Sequence, residues 1–584
     1  MVSVLLRSQI PLSTLTPRAG RFDDSLMVRG AGYLERGQWL GPFDLLTLSK
    51  GPSYPMFIAL TDKIGISLKV GEQLTYLLAA LCLAGCVWVV THRRALSFAV
   101  YFVLAFDPVK FGEVDGRILR DGWSSSLALL FFASFFLALY GALTRVRIVW
   151  VIAFSLLSGL SGAAFLLCRE EGAWLVPSLA VVALGLCLSG FLKWRRRTPV
   201  PRDTSPLFRN GMRVGLALVI TVVALYAPIA GVKLKNQEVY GSALTNDMSA
   251  GWIFRAYADW SRVKAGTPRR YVPISRTQRQ AVYQISPAAR QLMPTLEDPH
   301  NGSLSGGCTT VKVCDDFTGG WMIWAMRSGA ANAGHFGSES EAQAYFHQIS
   351  DDISRACNRG SLLCADRLPA ALQPLQRASL RPWLRSLADL SRTVALTSDL
   401  ATLQTLPMGI TPAEREVIKQ SVSGVPASQA AQNNELQTLK SRSWLFQGLS
   451  EFYLLLLPLM LVLALIGTVA ALRRPRWPGI ALSVLSVGLS VGVVTHLLLL
   501  ALINSSEFVF IGAGRYMLPA RVFLLAFAVV GCAQLIDGVR AKGQTGSRSA
   551  KDPDQSRPRQ DDCLFEPSAK GHPRDVASAS PDHP

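Results

Sequence analysis

Residues 21–55 read RFDDSLMVRGAGYLERGQWLGPFDLLTLSKGPSYP, and the fold of the chain turns on how this stretch is read. The carboxylates Asp23 and Asp24 open it. A mixed run follows, with Leu26, Met27, Ala31, Tyr33, Leu34, Trp39 and Leu40 as its apolar members, and Lys50-Gly51-Pro52-Ser53-Tyr54-Pro55 closes it. The pattern reads as a paired acid, a helix lying on a membrane surface and a rigid turn, all ahead of the first clear span.

The rest of the composition supports a membrane setting. Of 584 residues, 50% are hydrophobic and only 17% charged, and the mean hydropathy is +0.28, too apolar for an ordinary set of soluble domains. The formal charge of +19 invites a nucleic-acid partner, but no basic stripe interleaved with aromatics is present, so none is expected. Many of the cations sit in short gaps between apolar runs, where they set topology.

A crossing of roughly 20 apolar residues is met near 74–92, 95–109, 124–143, 148–168, 173–192, 212–232, 452–472, 479–502 and 517–536. The expected fold class is therefore an α-helical polytopic membrane protein of about nine spans with a mostly helical extramembrane domain. The 95–109 run is the shortest and ends at Asp107-Pro108. His92-Arg93-Arg94, Arg145 with Arg147, Lys193 with Arg195-Arg196-Arg197, and Arg473-Arg474 with Arg476 fall in alternate connections, which are expected to be cytoplasmic. The acid-bearing connections would then face outward, although the one at 107–122 also carries Lys110, Arg117 and Arg120.

Five divisions follow: an outer N-terminal segment at 1–72, membrane regions at 73–232 and 452–537, an extracytoplasmic domain at 233–451, and a disordered cytoplasmic tail at 538–584. The location implied is the inner (plasma) membrane. Residues 1–20 are too short and too interrupted by Arg7 and Pro11 to be a span or a signal peptide. The favoured expectation is an initial helix upstream of residue 1, the alternative a first helix inserted with its N-terminus outward.

Within 233–451, Ser275 and Ser286 precede helical runs as N-caps, Thr411-Pro412-Ala413-Glu414 fits a capping box, and 338–356 puts Ala342, Tyr345, Phe346, Ile349, Ile353 and Ala356 on one face. Cys308, Cys314, Cys357 and Cys364 form two close pairs here. In an oxidising compartment two local disulfides are the natural reading, although four cysteines allow three connectivities. Zinc is the weaker alternative, lacking CxxC spacing or a histidine at ligand spacing.

Ionisable groups at a membrane edge are costly and by default functional. Four sets converge on the expected outer face: Asp23-Asp24 with Lys50, the 111–122 loop with Arg120 and Asp121, Arg169-Glu170-Glu171, and Arg515 with Arg521. Each has a plainer reading. The acid pair can cap the surface helix, the loop charges and those of Arg169-Glu170-Glu171 can pair among themselves in water, and the last two arginines can snorkel to lipid headgroups.

As an ordered set these residues resemble the first outer loop of the GT-C membrane glycosyltransferases, the superfamily of protein O-mannosyltransferases and lipid A aminoarabinose transferases. Its members carry an acidic residue or pair after the first span, a surface helix and a Pro- and Tyr-containing turn, here Lys50 to Pro55. Arg120-Asp121, Arg169-Glu170-Glu171-Gly172 and Arg515-Tyr516-Met517-Leu518-Pro519 resemble further outer-face segments. The expected first span is absent, and Lys50 stands where histidine is common. The resemblance covers roughly 20–232 and 450–536, leaving 233–451 unmatched.

It implies transfer of a sugar from a polyprenyl-phosphate carrier to an acceptor hydroxyl on the outer face. Asp23 or Asp24 would be the base. Lys50, Tyr54, Arg120, Asp121, Arg169, Glu170, Arg515 and Arg521 would bind substrate, with Arg515, Arg521 or Lys50 on the departing phosphate. The partners are then membrane lipid and a lipid-linked sugar, the acceptor being unspecified. A divalent cation is left open as cofactor, with no ligand set to name. The rivals from other classes are a transporter or lipid-binding protein, for which inverted repeats are not evident, and a scaffold whose outer domain binds a partner.

Overall fold

The computed structural model describes residues 1–10, 12, 23–112, 116–144, 146–197, 205–367, 380–396, 416, 418–425, 428–473, 479–506 and 514–549. The 411–414 capping box, Glu113, Asp115 and the tail beyond residue 549 lie outside them. In the described order the main helices are α1 (Val2–Ser8), α2 (Asp23–Glu35), α3 (Ser53–Lys63), α4 (Leu68–Thr91), α5 (Arg94–Ala105), α6 (Arg120–Thr144), α7 (Ile148–Leu166), α8 (Val176–Arg197) and α9 (Ser205–Tyr240). There follow α10 (Trp252–Ser261), α11 (Arg276–Ile285), α12 (Gly319–Asn332), α13 (Glu339–Asn358), α14 (Leu380–Leu396), α15 (Ser443–Arg473), α16 (Gly479–Ser506) and α17 (Leu518–Ser549). The last runs past residue 538, where the tail is expected to begin.

Among the described residues, eight helices are long and apolar enough to cross a membrane: α4, α6, α7, 172–193, 208–240, α15, α16 and 515–539. The chain is thus an α-helical, multi-pass membrane protein. The ninth expected span, 95–109, is the 12-residue helix α5, only about 18 Å long. It still returns the chain across the bundle. Near its start Ser97 bonds the Ala84 carbonyl in the second half of α4, while at its end Ser3 bonds the Ala105 carbonyl and accepts from Gln73 near the start of α4. Residues 106–111 complete the distance, helped by a turn at Pro108–Phe111 that Asp107 caps. Helix α5 therefore runs antiparallel to α4 although it is shorter than a full span.

Helix α6 is apolar nearly all round and buried from Arg120 to Ala142, which makes it the central helix, packed between α4 and α7. Small residues let other helices approach. A Cβ on Gly159 would lie 2.5 Å from the Thr221 carbonyl of α9, and one on Gly467 would lie 2.5 Å from the Gly531 carbonyl of α17.

The polar region between α9 and α15 is also helical and has its own core, built on Trp260, Phe317, Met322 and Phe346. Ser275 and Gln278 make the reciprocal capping box, Ser286 caps the next turn, and the six predicted residues of α13 are buried. Cys308 is bonded to Cys314 and Cys357 to Cys364. Arg327 of α12 ties this region to the N-terminal loop. Its guanidinium pairs with Asp247 and donates to the carbonyls of Leu45 and Thr47, while the Asp247 amide donates to the Leu48 carbonyl.

Candidate functional site

Asp23 and Asp24 start α2, where carboxylates are favoured by the amide ends and dipole of the first turn. The two have different fates. Asp24 is fully buried and takes both arms of Arg117, Nη2 at 2.6 Å and Nε at 3.2 Å. Asp23 is half-buried and makes no hydrogen bond or ion pair among the described residues. Burial pushes its carboxyl up, but Lys50, Arg120 and Arg515 together hold it below its ordinary 3.8 despite nearby Glu170.

Lys50 reaches this cluster because of the glycine after it. A Cβ on Gly51 would fall 1.9 Å from the Leu167 carbonyl at the end of α7, and the Ser53 amide donates to the same oxygen at 3.4 Å. Only a residue without a side chain lets the 50–53 turn press that closely on the segment carrying Arg169 and Glu170. Lys50 is half-buried and, like Asp23, has no hydrogen bond or ion pair among the described residues. It lines a small pocket with Leu26, Met27 and Gly30, which lie on successive turns of α2 beyond Asp23.

The remaining charges lock into one another. Arg120 forks onto Glu170, both N–O distances 2.8 Å, and donates to the Cys168 carbonyl at 2.5 Å. Arg169 bonds Asp121 at 2.8 Å and also pairs with Glu171. Burial raises the Glu170 carboxyl, but Arg120 first and then Lys50 draw it far below its ordinary value. These interlocked pairs fasten the segments 117–121 and 167–171 together. Removing one partner of such a buried pair costs about 3–5 kcal/mol because the other charge is stranded.

Arg515 donates to the Tyr516 hydroxyl at 2.7 Å and lies over that ring, its Nε buried without a hydrogen bond; Asp23 and Asp121 are within its electrostatic reach. Its neighbour in sequence, Arg521, goes elsewhere. It is fully buried in the bundle 3.7 Å from Asp107, beside Tyr76 and Tyr453 rather than Asp23. Tyr54 is also committed to the interior, its hydroxyl 2.6 Å from Glu72, which Arg7 pairs on the other oxygen.

The structure therefore brings together Asp23, Lys50, Arg120, Asp121, Arg169, Glu170 and Arg515, and places Asp24 one fork away. Sequence reasoning gave no roles to Arg117, Glu171, Tyr516 or Glu72. The signal for Glu72 was an acid at the start of an apolar span, which requires a cationic or hydroxyl partner. No group of three or more His, Cys, Asp or Glu residues able to hold a metal occurs among the described residues.

No family model matches the sequence, and no curated protein matches it. Among solved structures, the chain is similar to ArnT from Cupriavidus metallidurans in its apo state, at 13% identity and a TM-score of 0.30, over 91% of this chain and 76% of that one. It is similar also to the archaeal oligosaccharyltransferase AglB from Archaeoglobus fulgidus, in complex with an inhibitory peptide and a dolichol-phosphate. There the identity is 11% and the TM-score 0.24, over 70% of this chain and 59% of that one. Likeness this loose carries no residue role from one chain to another.

Proposed function

We propose that this protein is a membrane glycosyltransferase of the GT-C type, moving a sugar from a polyprenyl-phosphate donor to an acceptor hydroxyl. The reaction would take place at the membrane face bearing Asp23, on the extracytoplasmic side of an inner membrane. The observation that carries this reading is the Asp23 carboxylate, held ionised and without a hydrogen bond or ion pair among the described residues, set among cations that act on it only at a distance. Basic gaps at the opposite ends of the spans agree with the orientation. Arg93, between α4 and α5, pairs with Asp537 near the end of the last span at 2.7 Å.

In the step proposed, the acceptor oxygen bonds to the anomeric carbon as the bond from that carbon to the phosphate oxygen breaks. The acceptor proton passes to Asp23, and the electron pair leaves with the lipid phosphate. Asp23 suits the role of base better than Asp24, whose two oxygens are engaged by Arg117. Lys50 and Arg515 supply positive charge where the phosphate gains negative charge. Arg120, Asp121, Arg169 and Glu170 hold the walls in place through their mutual pairs, and Arg521 and Tyr54 serve the bundle rather than the substrate.

The test is turnover of a polyprenyl-phosphate sugar by the purified full chain, read as release of polyprenyl phosphate. Asp23→Asn should reduce turnover by about 10²–10⁴-fold. Undiminished turnover in that variant would remove Asp23 as base and with it this reading.

A further inference from the structure

By sequence α14 belongs to the polar region, yet it packs along the spans α16 and α15. Leu390 and Val394 join the membrane core, with Trp383 and Leu387 packed against it. The Asn504 amide donates to the Ser386 hydroxyl at 2.8 Å, and the Trp383 indole donates to the Leu498 carbonyl at 3.4 Å. These contacts fix the depth of α14. Helix α16 has 28 residues, about 42 Å against a hydrocarbon core of about 30 Å. With the excess shared between its ends, Leu498 lies about 6 Å inside the core border. The Trp383 indole therefore reaches just inside the border, and Ser386, bonded by Asn504, stands at it.

The surface that α14 turns away from the spans is divided. At 100° per residue the inward face centres on half-buried Trp383 and buried Leu390 and Val394. Next around the helix come Leu380, Leu384 and Ala388, all exposed, the two leucines at 64% and 50%. Beyond them Arg381, Arg392 and Arg385 fall within an arc of about 40°. All three arginines are exposed and form no hydrogen bond or ion pair among the described residues. Exposed leucines beside unpaired arginines, at the height of the bilayer border, suit neither water nor a protein core. They suit a surface that is apolar below and anionic above.

We propose that α14 is an interfacial helix whose partner is an anionic phospholipid leaflet, with Leu380 and Leu384 in the acyl border and Arg381, Arg385 and Arg392 on headgroup phosphates. The docking needs only the membrane and the level set by the bonds of Trp383 and Ser386 to α16, and it is independent of sugar transfer.

A photo-crosslinking residue, p-benzoylphenylalanine, placed at Leu384 or at the water-facing Asp389 tests it. The full chain is held in nanodiscs of equal parts phosphatidylcholine and phosphatidylglycerol, and adducts are weighed by mass spectrometry. The expected result is lipid capture at Leu384 and not at Asp389, with phosphatidylglycerol favoured at least about fivefold. The variant Arg381→Ala/Arg385→Ala/Arg392→Ala, which removes no internal contact, should reduce that preference to the bulk ratio. The proposal is overturned by any of four results: no lipid adduct at Leu384, equal capture at both positions, a cross-link to protein instead, or an unchanged lipid ratio in the triple variant.

Discussion

Arg279 in the polar region and Lys50 at the membrane edge are both cations set among carboxylates, and they differ in what they touch. Arg279 is 2% exposed and closed on all sides, with Glu297 at 2.8 Å, Asp316 at 2.5 Å and the Ile274 carbonyl at 3.2 Å. Arg327 is closed in the same way by Asp247 and two carbonyls. Lys50 feels Asp23, Glu170 and Asp247 without contacting any of them. A closed cluster has nothing left to offer a ligand and holds the chain together. An open one keeps a carboxylate and an ammonium available, at a cost that folding alone would not select.

The sharpest break between the two regions should come from Asp23→Asn. Turnover should fall by about 10²–10⁴-fold while the melting temperature falls only slightly, because Asp23 makes no hydrogen bond or ion pair among the described residues and its favourable terms act at a distance. The reverse profile is expected for Arg327→Ala: a stability loss of about 3–5 kcal/mol by denaturant titration, with the surviving folded fraction still active. A melting temperature equal to the parent's would mean that Arg327 does not clamp the loop. Lys50→Met should sit between the two, lowering kcat by about 10²-fold with little change in melting. An unaltered kcat would leave the phosphate to Arg515.

The smallest effect concerns pH. Burial and then nearby Asp247 push the Glu339 carboxyl from 4.5 up to about 8, and Gln343 donates to one of its oxygens at 2.7 Å. A carboxyl raised on folding favours the folded state fully below its ordinary value, and that advantage is lost as pH rises through about 8. The melting temperature should therefore drop by a few degrees between pH 6 and 9, and Glu339→Gln should flatten the slope. The Asp23 shift has the opposite sign. Its carboxylate stays ionised down to pH values below 3.8, so the acid limb of the kcat/KM profile should lie lower than that.

Much of the fold was legible because apolar runs of span length and the N-cap serines of the polar region are local signals. The 95–109 run reads as a span from its apolar residues, whereas its helix stops at Ala105 and its place beside α4 depends on Ser3 and Ser97 bonding to carbonyls of other segments, which no local pattern encodes. At the site, the order of charged sets along the chain suggested that they meet, but not how they divide. The choice of Asp24 by Arg117, and of Asp107 by Arg521, is decided by tertiary distance. Gly51 was visible in the sequence as part of a turn, while its role depends on the Leu167 carbonyl, more than a hundred residues away.

Arg327 grips the N-terminal loop at the peptide oxygens of Leu45 and Thr47, not at its side chains. A hold of this kind follows the path of the chain and is blind to its spelling. Position 45 can therefore drift among residues of many kinds without unfastening the loop, whereas any change in loop length would slide both oxygens out of the guanidinium's reach.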